Sequence, residues 1–173
     1  MIISVNDAKV QIEFNGWSDE KIERKLVAIE KTIRKYTNNN FQKRFCRAEC
    51  SANGQQIYGT VPGLNVGDTI HITQSMFNDG LYVVEAIADG EFSIDKELTE
   101  EPVFLVTKIE YPEDVIDCCL ELLEWSVKYG AKVGVKSETL SRHSVTYEDS
   151  GTLFNGFPVG ILNGLKLYKK ARC

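Results

Sequence analysis

At 173 residues and 43% hydrophobic, the chain suits one ordinary domain or a small domain carrying an insert, and it is too apolar for global disorder. No apolar run approaches the roughly 18–20 residues a membrane span needs, and residues 1–7 lack the basic and apolar regions of a signal peptide. The net charge of −5 is unevenly spread: residues 17–49 carry nine basic and five acidic side chains, whereas residues 50–110 carry two and ten, which argues against a phosphate-binding surface in the middle third.

Ser4, with Asp7 three residues on, signals a short helix ending before Asn15-Gly16. Ser18 caps a longer one whose first turn is acidic, where the helix dipole favours carboxylates. Trp17 and Ile22 stand at the positions of a hydrophobic staple. Ile22, Leu26, Ile29, Ile33 and Tyr36 then recur at helical spacing, forming one apolar stripe that must be covered by another helix. Asn38-Asn39-Asn40 stops this helix.

The period next changes from 3.6 to 2. Short runs at 55–60, 69–73, 81–87, 91–94 and 103–109 are separated by turn residues such as Asn53-Gly54, Gly67-Asp68 and Asp89-Gly90. Five short strands at this spacing predict a small antiparallel, barrel-like sheet. Tyr111-Pro112 returns the chain to helix, with proline expected at the first helical position and a wide apolar stripe from Val115 to Val127. Residues 131–153 are polar and irregular, although Ser144-Val145-Thr146-Tyr147 alternates like a strand, and 159–168 reads as a short helix. The predicted fold class is therefore α+β: a small helical bundle from residues 1–47 and 111–173, interrupted by the β insert 48–110, with an extended C-terminal arm.

The residue types that could carry chemistry are scattered. The five cysteines (Cys46, Cys50, Cys118, Cys119 and Cys173) have no disulfide-framework spacing and read as reduced thiols of a reducing compartment. Cys46 and Cys50 would need two further ligands to hold zinc, and the two histidines, His71 and His143, lie in unrelated segments. No oxyanion motif accompanies any Cys–His pair. Asp89, Glu91, Asp95, Glu97, Glu100 and Glu101 lack calcium-loop spacing and read as a solvated acidic face. No enzyme activity, cofactor or metal is expected. Lys43, Arg44 and Arg47 with Phe41 and Phe45 form a basic–aromatic cluster that could meet nucleic acid, link two domains, or pair with a neighbour's acidic insert.

At its ends the chain resembles a family. Val5-Asn6-Asp7-Ala8-Lys9 and Tyr36-Thr37-Asn38-Asn39-Asn40-Phe41 are similar to the opening of tailed-phage head–tail connector (head-completion adaptor) proteins. Lys136, Ser137 and Glu138, followed by Ser141, His143, Ser144, Val145, Thr146 and Tyr147, resemble that family's K-S-E…S-V-x-Y arm. Phe157, Ile161, Leu165, Tyr168, Lys169, Lys170 and Arg172 resemble its closing segment. In the middle, Gly67-Asp68-Thr69-Ile70-His71-Ile72 and Asn78-Asp79-Gly80-Leu81-Tyr82-Val83 are similar to a module of phage structural proteins.

The resemblance implies a virion structural protein of a phage or prophage neck, assembled in the bacterial cytoplasm. Its partners would be copies of itself in a ring of about twelve subunits, the portal protein above and a neck or tail-completion protein below. Double-stranded DNA would pass through the lumen without sequence-specific binding, and no membrane would be involved. The 136–147 arm is expected at the subunit interface and the closing segment at the portal. The alternative, from a different class, is a monomeric binding module whose β insert captures a host factor or nucleic acid.

Overall fold

Ser4 caps the first helix, α1 (Val5–Gln11), by accepting a hydrogen bond from the Asp7 amide at 3.1 Å. Ser18 does the same for α2 (Asp19–Thr37), through the Lys21 amide at 3.4 Å. Asn38 ends α2 in the left-handed conformation that asparagine tolerates. The computed structural model describes residues 1–130, 137–140, 143–146 and 153–171. It has two units: Met1–Asn39 with Tyr111–Cys173, and Asn40–Glu110.

In the first unit, the α2 stripe is buried as its spacing requires, with Ile22, Leu26, Ile29 and Ile33 shielded from solvent. It packs against α3 (Glu113–Tyr129), which contributes Val115, Cys118, Cys119, Leu122 and Leu123. Each such side chain stabilises the fold by about 1.5–3 kcal/mol through burial. Pro112 stands one position before the expected one, at the N-cap, because its extended ψ of 154° keeps it outside the helix. The chain closes through β7 (Leu153–Phe154), β8 (Phe157–Pro158), α4 (Val159–Leu162) and a 3₁₀ turn at Asn163–Tyr168. A two-stranded ribbon, β5 (Ser137–Leu140) with β6 (His143–Thr146), precedes them.

A buried carboxylate ties α2 to the start of α3. The Tyr111 hydroxyl donates to Glu30 Oε1 at 2.6 Å, with Arg34 at 3.9 Å and the Met1 amino group at 3.6 Å from the same carboxylate.

The second unit is a four-stranded antiparallel sheet: β1 (Gln42–Tyr58), β2 (Thr69–Thr73), β3 (Gly80–Ala88) and β4 (Glu91–Ile109), in the order β1-β4-β2-β3. β4 serves three partners. β1 runs along it from Gln42↔Ile109 to Tyr58↔Glu91, β2 takes its second half and β3 its first. The core is Ile57, Ile70, Ile72, Val84, Phe92, Ile94, Leu98, Phe104 and Val106, with Cys46 and Cys50 among them.

Several sequence expectations change here. The runs at 91–94 and 103–109 are one strand, and β1 begins at Gln42 rather than near residue 55. The stretches 42–54 and 95–102 lack clear alternation, yet both join the ladder: 42–50 pairs with 104–109 and 52–54 with 98–101, through several register shifts. The sheet is also open, because β1 pairs with β4 alone. The division at residues 39 and 40 lies ahead of the expected 47/48 boundary, which falls inside β1.

Candidate functional site

The predicted interface arm folds, where it is described, as an antiparallel ribbon. Ser137 pairs with Thr146, Glu138 with Val145, Thr139 with Ser144 and Leu140 with His143. Lys136, Ser141 and Tyr147 lie outside the described residues. Alternation over 144–147 pointed to the second strand; the first, Ser137–Leu140, carried no such signal. Among the described residues the ribbon pairs with no other strand. A two-stranded ribbon has two outer edges of backbone donors and acceptors, which is the chemistry required for pairing with another chain.

The closing segment divides into buried and exposed halves. Phe157 and Leu165 are buried in the helical unit and Ile161 is half-buried, so their contribution is to anchor the segment. Further ties are polar. The Tyr168 hydroxyl donates to Asp114 at 2.9 Å, the Lys170 amide to the Thr37 carbonyl at 2.8 Å, and the Asn38 side chain to the Ala171 carbonyl at 3.0 Å. Lys169 lies 3.8 Å from the centre of the Tyr36 ring. What faces solvent is Leu167, Lys169 and Lys170, while Arg172 lies outside the described residues.

The basic–aromatic cluster is set on β1, where its members part company. Phe41 is buried, whereas Phe45 is 90% exposed. Lys43 pairs with Glu110, whose hydrogen bond raises the lysine above its ordinary value. Arg47 Nε donates to the Thr107 hydroxyl at 2.9 Å, across the β1–β4 ladder. Two of the three cations are thus engaged within the sheet, and Arg44 and Phe45 remain as exposed neighbours.

A feature that sequence reasoning missed lies in the β2–β3 loop. Glu101, which reads as part of a solvated face, is only 8% exposed. Its carboxylate accepts from the Ser75 hydroxyl at 2.5 Å, the Met76 amide at 2.7 Å and the Asn78 side-chain amide at 3.0 Å. Asn78 in turn clasps Thr99, donating to its carbonyl at 2.8 Å and accepting from its amide at 2.9 Å. This network fixes a loop whose tip presents Met76, 79% exposed, and Phe77, 69% exposed. The Asn78-Asp79-Gly80 turn was visible in the sequence; its carboxylate partner, on a distant strand, was not.

The Ser75 hydroxyl and then the Met76 amide hold Glu101 below the ordinary carboxylate value. A depressed pKa contributes stability above the ordinary value, lost as pH falls through the folded one. Acidification below pH ~4 is therefore expected to release the loop. Amide exchange at Met76 and Asn78 measures it, and Glu101→Gln should remove most of that pH dependence.

The thiols are poorly placed for nucleophilic chemistry. Burial pushes Cys50 up to about 11 and Cys118 and Cys119 up to about 12, so they stay protonated at neutral pH. Among the described residues, no three His, Cys, Asp or Glu side chains come together as a metal site would require. Asp95 accepts from the Val83 amide at 2.8 Å, while Asp89, Glu97 and Glu100 are exposed. No family model matches the chain, and no curated protein shows significant similarity to it.

Proposed function

We propose that this chain is a structural subunit of a tailed-phage or prophage neck, a head–tail connector that closes into a ring beneath the portal and works by surface burial without covalent chemistry. The observation that carries the reading is the segregation of the chain. The two terminal stretches that resemble connectors fold together as one helical unit, and the middle of the chain forms a unit of its own. That is the arrangement expected of a connector core interrupted by an insert. The insert is read as a curled, barrel-like sheet, since the 19-residue β4 is shared by three partners.

The ribbon at 137–146 supplies edges for a neighbour, and Lys169 and Lys170 supply charge for the portal side. DNA would pass through the lumen unread. Native mass measurement and electron microscopy of the full chain mixed with portal test the proposal, with a ring of about twelve copies expected. A chain that stays monomeric and ignores portal would sink it. Deleting residues 136–147 should leave the helical unit folded, with its far-ultraviolet helix signal intact, and abolish ring formation.

The locked Met76–Phe77 tip favours a second reading, a monomeric module whose β unit captures a host factor. Retention of portal-dependent assembly by a Met76→Ser/Phe77→Ser variant would count against it.

A further inference from the structure

The helical unit contains a cavity that the connector reading leaves unused. It has a volume of about 460 Å³ and lies between the N-terminal half of α2 and the C-terminal end of α3. Trp17, Lys21, Arg24 and Lys25 line one side, and Ser126, Val127 and Gly130 the other. Among the described residues that line it there is no carboxylate, and none of its three cations forms an ion pair. Lys21 lies 4.0 Å over the Trp17 ring and Lys25 4.7 Å over that of Phe157. Arg24 Nε donates to the Glu20 carbonyl, at 3.3 Å. Lys25 is half-buried, and its pKa is lowered by that burial and then by Lys21. Three like charges converging on a partly apolar hollow, with no counter-charge among the described lining residues, form an acceptor for a carboxylate on an apolar stem.

The same chain carries a matching donor. At the far end of the β3–β4 hairpin, residues 85–90 are all exposed, so both faces of β3 project beyond the core there. They present Glu85 and Asp89 beside Ala86, Ile87 and Ala88, on a turn fixed by Gly90 at φ 78° and by the Gly59 amide donating to the Gly90 carbonyl at 2.8 Å. Neither Glu85 nor Asp89 forms an ion pair among the described residues.

We infer that the Trp17–Lys21–Arg24–Lys25 cavity of one subunit receives the acidic hairpin end, Glu85 to Asp89, of a second copy. The inference rests on the connector reading for its ring, but the contact itself is heterologous and can be tested without one. A heterologous contact joins two different surfaces and propagates until it closes, which a ring requires. Charge complementarity sets both register and encounter rate, and the apolar stems supply the burial. A nucleic-acid phosphate is the poorer occupant, because it carries no apolar stem to cover the Trp17 and Val127 side of the hollow.

Two full-length variants make the contact one-sided. Lys21→Gln/Arg24→Gln removes the acceptor at two exposed positions, and Glu85→Gln/Asp89→Asn removes the donor at two others. Each alone should self-associate at least about tenfold more weakly than the natural chain, since losing a close charge pair at an interface costs at least that. Mixed in equal amounts, they should pair one-to-one, because one intact donor meets one intact acceptor. Sedimentation at low salt reads this, with melting curves confirming that both variants fold. A mixture that sediments as monomers overturns the inference, even if the natural chain forms rings with portal, in which case the connector reading stands alone. Pairing in the mixture without any portal-dependent ring supports the contact and sinks the connector reading. Loss of duplex-DNA binding in the acceptor variant, with no pairing in the mixture, reassigns the cavity to phosphate and also overturns it.

Discussion

Replacing Phe104 by alanine is expected to lower the stability of the Asn40–Glu110 unit by about 3–5 kcal/mol. Phe104 heads the fully buried side chains and is 1% exposed. It lies on the stretch of β4 that is paired with β1, opposite Cys50, one position before the stretch shared with β2. Its loss removes the apolar contacts of one large ring and leaves a cavity among Ile70, Ile72, Ile94 and Val106 that a sheet hydrogen-bonded on both sides closes only in part. A small domain has about 5–15 kcal/mol in total, so the change consumes much of it. Amide exchange at Ile72, Ile94 and Val106 is the direct measure. A loss below about 1 kcal/mol would mean that Phe104 is not the centre of this core.

Removing the Tyr111 hydroxyl is the second large effect. Tyr111→Phe keeps the ring and deletes the 2.6 Å donor to Glu30, a carboxylate buried between α2 and the start of α3. The expected cost is about 2–3 kcal/mol, because the charge stays buried with only Arg34 and the Met1 amino group nearby at longer range. Glu30→Gln should cost less in the Tyr111→Phe background than alone, and a double-mutant cycle by chemical denaturation measures that coupling. Burial, and then Glu30, push the phenol well above its ordinary value of 10.0. Its contribution is thus fully present below pH 10 and declines above it, as the unfolded chain ionises while the folded one does not. In Tyr111→Phe that alkaline decline should shrink.

Both effects depend on residues whose importance is unevenly written in the sequence. Phe104 belongs to a strand-like run, but the four consecutive apolar residues Val103 to Val106 do not by themselves say which face is buried. Tyr111 precedes a helix beside a proline, a position that suggests a boundary rather than a hydrogen bond to a residue 81 positions earlier. The α2 stripe, the Ser4 and Ser18 caps and the change from period 3.6 to period 2 were legible because each arises from neighbours within about ten residues. So were the turns at Gly67-Asp68 and Asp89-Gly90, where glycine holds a positive φ, whereas Asn53-Gly54 falls inside β1.

What local pattern could not supply was pairing across the chain. β1 from 42 to 54 and the middle of β4 have no alternation to reveal them. They are strands because β1 and β4 pair from Gln42↔Ile109 to Tyr58↔Glu91, and the register shifts in that ladder erase the period. The same holds for the candidate sites. Glu101 looked like one acid among six, and only folding brings it to Ser75 and Asn78, where three donors make it the anchor of an exposed Met–Phe tip. Phe157 and Leu165, expected at the portal surface, are buried instead beneath a segment whose exposed face is Leu167, Lys169 and Lys170.

The unequal charge along the chain was the sequence's own statement, and it was complete before any fold was known: a basic stretch at 17–49 and an acidic one at 50–110. Which of those charges remain without a partner was decided by tertiary structure alone. Lys43 is matched by Glu110 and Lys108 by Asp68, at the ends of strands that fold against each other, whereas Lys21, Arg24 and Lys25 converge on a hollow with no carboxylate among the described residues that line it. Sequence sets how much charge there is. The distances that determine whether it is neutralised exist only once helices and strands have packed, because Coulomb attraction in water fades within a few ångströms of contact.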